Sequence, residues 1–111
     1  GGRRMNPGRL RHRIIIQELT ELRDPISGEI IDTDWQDVCT AWAEIRALRG
    51  REYFAAQQTI AESSHEITIR YRKSIKPTMR AVHDDRIFDI QAVLDKDGKM
   101  RYLSLVCKEV G

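Results

Sequence analysis

Three histidines and two cysteines are the residues of this chain that could bind a metal or act in nucleophilic catalysis. His12, His65 and His83 lie far apart in the sequence, without HxxxH or CxxC spacing, so no metal site is predicted. Cys39 could meet His65 or His83 as nucleophile and base, but a cysteine among small apolar residues is usually a packing residue. We therefore predict no catalytic residue, and we expect Cys39 and Cys107 to be reduced thiols of the core.

Nucleotide-binding and acid-base motifs are also missing from the sequence. Neither GxGxxG nor GxxxxGK[ST] occurs, and Gly28, Gly50 and Gly98 are isolated glycines in turn-like segments. The carboxylates concentrate between residues 18 and 37 without a matching base, which is typical of a solvated tip. The sequence accordingly predicts neither an enzyme nor a cofactor.

The formal net charge of +2 hides separate blocks of opposite sign. Residues 1–13 contain five arginines and no acid, whereas residues 18–37 contain seven acids and one arginine. A second basic block spans residues 70–86. Alternating blocks of this kind suit protein surfaces that meet one another, because complementary patches steer encounter and fix register.

The secondary structure predicted from the sequence is mainly β. Period-two alternation and β-branched residues indicate six strands, and helical spacing indicates one helix. A turn signal at Asp24 opens an acidic connection, a loop or hairpin tip, that runs to Asp34. The strands are predicted over residues 9–22, 35–48, 65–72, 79–83, 86–94 and 100–110, and the helix over 51–62.

These elements predict a small six-stranded β-barrel with one short α-helix and a long loop, since so little helix cannot cover an open sheet. The 111 residues suit a single domain. Residues 1–4 precede Met5 and are expected to be a cloning remnant, which leaves residues 5–111 as the domain. No apolar run approaches the ~20 residues of a spanning helix, so no membrane partner is predicted.

An alternative function is binding of single-stranded nucleic acid by an OB-like barrel, which stacks bases on aromatic side chains of a basic face. Arg70, Arg72 and Lys73 with Tyr102 could form such a face. Against this, Tyr71 alternates onto the apolar side of its strand, away from the arginines. The alternation of polar and apolar residues predicts one solvent-exposed (wet), basic face for the strand over residues 65–72.

Several short motifs together, in their order and spacing, resemble the phage head-tail joining family, the head-closure, stopper or adaptor proteins of long-tailed bacteriophages and prophages. The resemblance implies a small β-barrel with a short helix and no enzymatic activity. It also implies a ring below the portal and adaptor that closes the DNA-filled head and presents a surface for the tail. The motifs are Met5–Arg13, Trp35, Trp42–Arg46, Gly50–Ala56, Ile67–Arg72, Met79–Arg80 and Arg86–Ile90.

The partners implied by the resemblance are further copies of the chain, the portal or adaptor ring, the tail terminator protein and double-stranded DNA passing through the channel. The implied location is the neck of the virion, after assembly in the host cytoplasm. We expect acids of the 24–34 connection to face the channel or to dock on a neighbour: Glu29, Asp32 and Asp34. Candidate residues for contacts with the next subunit or a partner are Arg9, Arg11, Arg13, Trp42, Tyr53, Gln57, Arg70, Arg72 and Lys73.

Overall fold

The computed structural model describes residues 7–48 and 64–110, and within these ranges the protein is mainly β, as predicted. A 3-10 turn at Pro7–Arg9 precedes the strands, and no helix in these ranges is long and apolar enough to cross a membrane. The helix predicted over 51–62 lies outside the described residues. The strands are β1 (His12–Arg23), β2 (Ile30–Ala47), β3 (Ser64–Arg70), β4 (Arg80–His83), β5 (Arg86–Asp95) and β6 (Tyr102–Val110).

All neighbouring strands are antiparallel and follow the order β1-β2-β3-β6-β5-β4, which closes into a barrel. The closing contact between β1 and β4 is short and joins residues 15–17 to residues 80–82. Closure gives the backbone groups of these strands partners on both sides, so the barrel has no free edge over this length.

Inward-facing side chains at every second strand position form the core of the barrel. Both cysteines are free, as predicted; Cys107 is fully buried and Cys39 packs against the core from a partly buried position. Burial raises the pKa of Cys107 to about 12, so its thiol stays neutral. The largest fully buried apolar side chains besides Cys107 are Phe88, Ile14, Ile16, Ile67, Ile69 and Leu105.

Strands β1 and β2 extend well beyond the barrel as a two-stranded arm, which we define as residues 18–37. In this segment the two strands pair only with each other, because β2 meets β3 over residues 43–47 and β1 meets β4 over residues 15–17. The described chain is therefore elongated, with extents of 58 × 27 × 26 Å and a radius of gyration of 15.5 Å. A compact 100-residue domain has a radius of about 13 Å.

Of the two alternatives predicted for residues 24–34, the hairpin tip is confirmed and the long loop is wrong, because only residues 24–29 form the connection and β2 begins at Ile30. The turn is tight: the Asp24 carboxylate accepts a hydrogen bond from the Ile26 backbone N–H, and Gly28 has a φ of +75°. Continuous pairing with β1 then keeps the acidic residues that follow in a strand.

Candidate functional site

The histidines considered as bases for Cys39 contact other residues. His65 packs edge-on against Phe88, with 5.1 Å between ring centroids, and His83 packs against His12 at 4.9 Å. Within residues 7–48 and 64–110, no group of three or more His, Cys, Asp or Glu side chains could hold a metal ion. The candidate functional residues must therefore be sought on the surface.

A row of outward-facing side chains crosses four strands at one end of the barrel. Arg13 on β1 lies opposite Trp42 on β2, and Arg70 on β3 lies opposite Tyr102 on β6. Continuing the β2–β3 register by one residue places Trp42 beside Arg70. Trp42 is 57% exposed, and both arginines are exposed. We call these four residues the basic-aromatic row; the adjacent inward-facing residues are buried, namely Ile14, Ala43, Ile69 and Leu103.

The other predicted interface cations are exposed at the ends of the same strands. Arg11 precedes β1 and donates from Nε to the Gly8 carbonyl at 3.2 Å, while Arg72 follows β3 and donates to the Thr40 carbonyl at 3.3 Å. Tyr53 and Gln57 lie outside the described residues. Among the described residues, no carboxylate forms an ion pair with any of the following: Arg9, Arg11, Arg13, Arg70, Arg72 and Lys73.

The prediction of a wet, basic face along β3 is wrong for its middle, where Thr68 is only 2% exposed. Glu66 accepts hydrogen bonds from Ser104 and Arg46, and Lys96 lies 3.4 Å from the same carboxylate. Burial alone raises the pKa of Glu66, but these hydrogen bonds and positive charges outweigh it and leave the pKa below its ordinary value. Only the end of this strand, at Arg70, presents an exposed cation.

The basic block predicted over 70–86 is divided by the fold. Arg86 donates to both carboxylate oxygens of Glu109 at 2.9 and 3.0 Å, and this bidentate pair lowers the pKa of Glu109. The Arg80 guanidinium lies 4.1 Å from the centroid of the Trp35 ring and donates to Gln17 at 2.8 Å. The end of the block thus contains an arginine paired with a carboxylate, whereas no carboxylate among the described residues pairs with Arg70, Arg72 or Lys73 at its start.

The predicted docking or channel acids all lie on the arm and are exposed. Glu29 is in the turn, whereas Asp32 and Asp34 lie on β2, opposite Leu22 and Thr20 of β1. No cation forms an ion pair with these three acids within the described part of the chain. A shallow groove on the arm is lined by Thr20, Glu21, Leu22, Asp32, Thr33, Asp34 and Gln36.

Large apolar side chains on the arm were not identified from the sequence. Ile26 at the turn is 95% exposed, and Leu22 and Ile31 are each 60% exposed. The sequence feature that could have identified them is the presence of apolar residues between the acids of residues 18–37. Neighbouring exposed apolar groups are typical of a surface that contacts another molecule. Further members of this set are Leu19 and Ile30.

Relatives with solved structures share this fold over nearly the whole chain. The solution structure of protein SF1141 from Shigella flexneri 2a is 35% identical, with a TM-score of 0.77 over 95% of this chain and 96% of that chain. A chain in the virion of a native gene transfer agent particle is 26% identical, with a TM-score of 0.65 over 88% of this chain and 93% of that one.

Sequence comparison gives the family. The head completion protein gp7 of Enterobacteria phage HK97 is 30% identical over 76 residues, which cover 68% of this chain and 66% of gp7, just under two thirds of its length. A family model described as phage head completion protein matches residues 5–110. The predicted resemblance is thus confirmed, and the chain belongs to the phage head completion protein family, a family of virion structural proteins.

Proposed function

We propose that the chain is a subunit of the head-tail connector, which forms a ring below the portal or adaptor, closes the DNA-filled head and provides the surface to which the tail attaches. Family membership and the virion origin of one structural relative support this role. The observation that carries the ring is the presence of unpaired charges of opposite sign at two separate places on one elongated subunit.

This arrangement of two different surfaces supports a ring. An interface between two different surfaces of identical subunits is heterologous, and it closes into a ring when the rotation between neighbours allows. The two surfaces are the acidic arm and the cations around Arg70, Arg72 and Lys73. One rim of the ring would meet the portal or adaptor and the other the tail terminator, while double-stranded DNA passes through the centre.

The arm acids fit a protein partner better than the DNA channel. Carboxylates facing the channel would repel phosphates and keep the lumen from gripping DNA, which agrees with the charge of Glu29, Asp32 and Asp34. The side chains of Ile26 and Ile31 on the same arm are exposed and apolar. They gain nothing from a contact with charged phosphates, but they stabilise a contact with another protein when that contact buries them. We therefore assign the arm to a neighbouring protein, and cross-links from it to DNA would contradict this assignment.

The central test of the proposed function is electron microscopy of particles assembled without this protein. If the chain closes the head, the expected particles are packaged heads that leak DNA and carry no tail. Expression of the wild-type chain in trans should restore tailed particles with the packaged genome retained. Tailed, infectious particles formed in its absence would overturn the proposed function, including its location in the neck of the virion.

A charge-reversal variant tests the ring itself. Replacing Arg70 and Arg72 by Glu should abolish incorporation into heads, because like charges brought together at an interface repel. Lys108→Glu is the control, since Lys108 is an exposed cation of β6 six residues away from Tyr102. Normal incorporation of the arginine variant would rule out a ring held by this surface.

A second candidate function is binding of single-stranded nucleic acid, favoured by the position of Trp42 between two arginines and of Tyr102 beside Arg70. Stacking of bases on such aromatics is worth about 1–3 kcal/mol per base. Titration of the purified chain with single-stranded DNA at low salt tests this function. Micromolar affinity with a steep salt dependence would support it, and undetectable binding would exclude it.

A further inference from the structure

We propose that the arm of one copy docks on the basic-aromatic row of the next copy, with Asp32 and Asp34 against Arg13 and Arg70. This inference rests on the proposed ring and names the contact that builds it. The occupant of the row is therefore a second copy of this chain, bound through the groove of its arm.

The first argument is the distribution of satisfied and unsatisfied charges. Away from the row, the barrel cations Arg46, Arg86 and Arg101 lie within 3.0 Å of a carboxylate oxygen of the same molecule. Arg13 and Arg70 have no such partner, and neither do the aspartates of the arm groove, within the part of the chain that the structure describes. Unpaired charges of opposite sign thus lie on two surfaces, the row and the arm groove, that complement each other.

The second argument is that one molecule cannot bring these two surfaces together. Asp32 and Trp42 lie on the same strand, ten residues apart. At about 3.3 Å per residue, the strand separates them by about 33 Å. The row is fixed on the barrel, so the arm of the same copy points away from it. The contact therefore requires a second copy.

The third argument is the chemical match between the row and the groove. Trp42 is a large exposed aromatic flanked by arginines, and tryptophan and arginine are the residues that most often dominate binding energy at interfaces. The groove offers Leu22 beside Asp32, an apolar group next to a carboxylate. Burial of Trp42 against Leu22 would exclude water from the surrounding ion pairs and strengthen them.

Carbodiimide cross-linking of the purified full-length chain tests this contact, because the reagent joins carboxylates to amines that touch. Lys73 follows the row residue Arg70 at the end of β3 and supplies the amine. We expect links between Asp32 or Asp34 of one copy and Lys73 of another, identified in a mixture of isotopically light and heavy protein. Links from these aspartates to Lys108 should be rare, and equal yields at both lysines would overturn the proposal.

Charge exchange makes the test specific. One variant combines Asp32→Lys with Asp34→Lys, and the other combines Arg13→Glu with Arg70→Glu. Arg13→Glu with Arg70→Glu alone should lose about tenfold or more of its cross-linking between arm and row, since like charges then face each other, whereas Asp32→Lys with Asp34→Lys alone has no carboxylate left at these positions to be linked. Mixing the two should restore cross-linking between the introduced lysines and the introduced glutamates, which also shows that both variants are folded. Failure of the mixture to cross-link would overturn the proposal.

The same variants separate this proposal from its rivals. The variant Arg13→Glu with Arg70→Glu is also tested for binding of a single-stranded oligonucleotide. If it loses that binding, and if the yield of cross-links between arm and row is the same in wild type, single variants and mixture, the row binds nucleic acid and the proposal is wrong. Cross-linking is read in purified protein and needs no virion. Restored cross-linking together with normal tailed particles in the absence of the chain would therefore overturn the proposed function alone.

Discussion

Strands β1 and β2 run through both the barrel and the arm, but the two regions differ in burial and in the pairing of their charges. In the barrel, alternate residues such as Ile14 and Ile16 are fully buried, and charges such as Arg86 have carboxylate partners. In the arm, no residue from 18 to 37 is buried. A two-stranded ribbon by itself is only marginally stable in water, so the arm depends on the barrel to which it is anchored.

The difference in burial separates the residues that stabilise the fold from the residues that are exposed to a partner. Barrel side chains are chosen to fill a closed interior at crystal-like density. Arm side chains such as Ile26 and Asp32 add little to folding and remain available for a partner. If this division holds, changes in the barrel should alter global stability, while changes in the arm should alter local opening and binding.

Phe88→Ala should show the largest effect on stability. Phe88 is fully buried in the barrel, and removing such a ring costs about 3–5 kcal/mol through lost burial and the cavity left behind. Ile31→Ala, at a 60% exposed position of the arm, should change the free energy of unfolding by no more than about 0.5 kcal/mol. Urea denaturation measures the free energy of unfolding of both variants. Comparable losses of this free energy would mean that the arm and the barrel unfold as one cooperative unit.

Glu66→Gln should cost about 1–3 kcal/mol at neutral pH, because it breaks a partly buried, charge-assisted network. Since the folded pKa of Glu66 lies below its unfolded value, its stabilisation is present above the unfolded pKa of about 4.3 and is lost as pH falls through the folded pKa. Wild type and variant should therefore converge in acid. Glu29→Gln on the arm is the control, and a difference that stays constant with pH would contradict the charge-based explanation.

Gly98→Ala and Gly28→Ala compare equivalent turns of the two regions. Both glycines have positive φ, +73° and +75°, and an added Cβ at either would meet no atom within 4 Å. The cost is therefore one of backbone conformation alone, about 1 kcal/mol. Denaturation should show this loss in global stability for Gly98→Ala, in the barrel hairpin between β5 and β6. For Gly28→Ala the loss should appear only as faster hydrogen exchange in the arm, and a global loss there would show that the arm unfolds with the barrel.

Arg80→Ala should destabilise the base of the arm locally by about 0.5–1 kcal/mol, because it removes the cation–π contact with Trp35 at an incompletely buried site. The variant also loses the hydrogen bond to Gln17 at the base of the arm. We expect faster hydrogen exchange of arm amides while amides of β6 stay protected. Lys76→Ala serves as the control for a lost surface cation. If hydrogen exchange became equally faster in β6, Arg80 would stabilise the barrel as a whole and not the arm.

Period-two alternation was sufficient to predict most strands. Ile67 and Ile69 in β3, like Leu103 and Leu105 in β6, alternate with the polar residues Thr68 and Ser104, and this period-two pattern is typical of a strand. The predicted ranges 65–72 and 100–110 differ from Ser64–Arg70 and Tyr102–Val110 by at most two residues. Strand ends are set by the pairing partner, which a single segment does not contain.

The start of β2 could not be predicted in the same way. Asp32 and Asp34 are unfavourable in strands, so the acidic segment resembled a loop. Pairing with β1 at every position from Asp32 to Asp37 overrides that local preference. The same pairing places Leu22 opposite Asp32 and so forms the groove, which no local pattern specified.

Sequence alone determined the mainly β class and the blocks of charge, because each depends on residue type and short spacing. The tertiary structure decided which charges remain unpaired. Arg86 and Arg70 belong to one basic block. Arg86 on β5 forms an ion pair with Glu109 on the neighbouring strand β6, whereas Arg70 lies exposed beside Trp42 and Tyr102. The partner of a side chain in a barrel is fixed by strand register, which joins residues far apart in the sequence, such as Arg86 and Glu109 at 23 positions, and only the closed fold specifies that register.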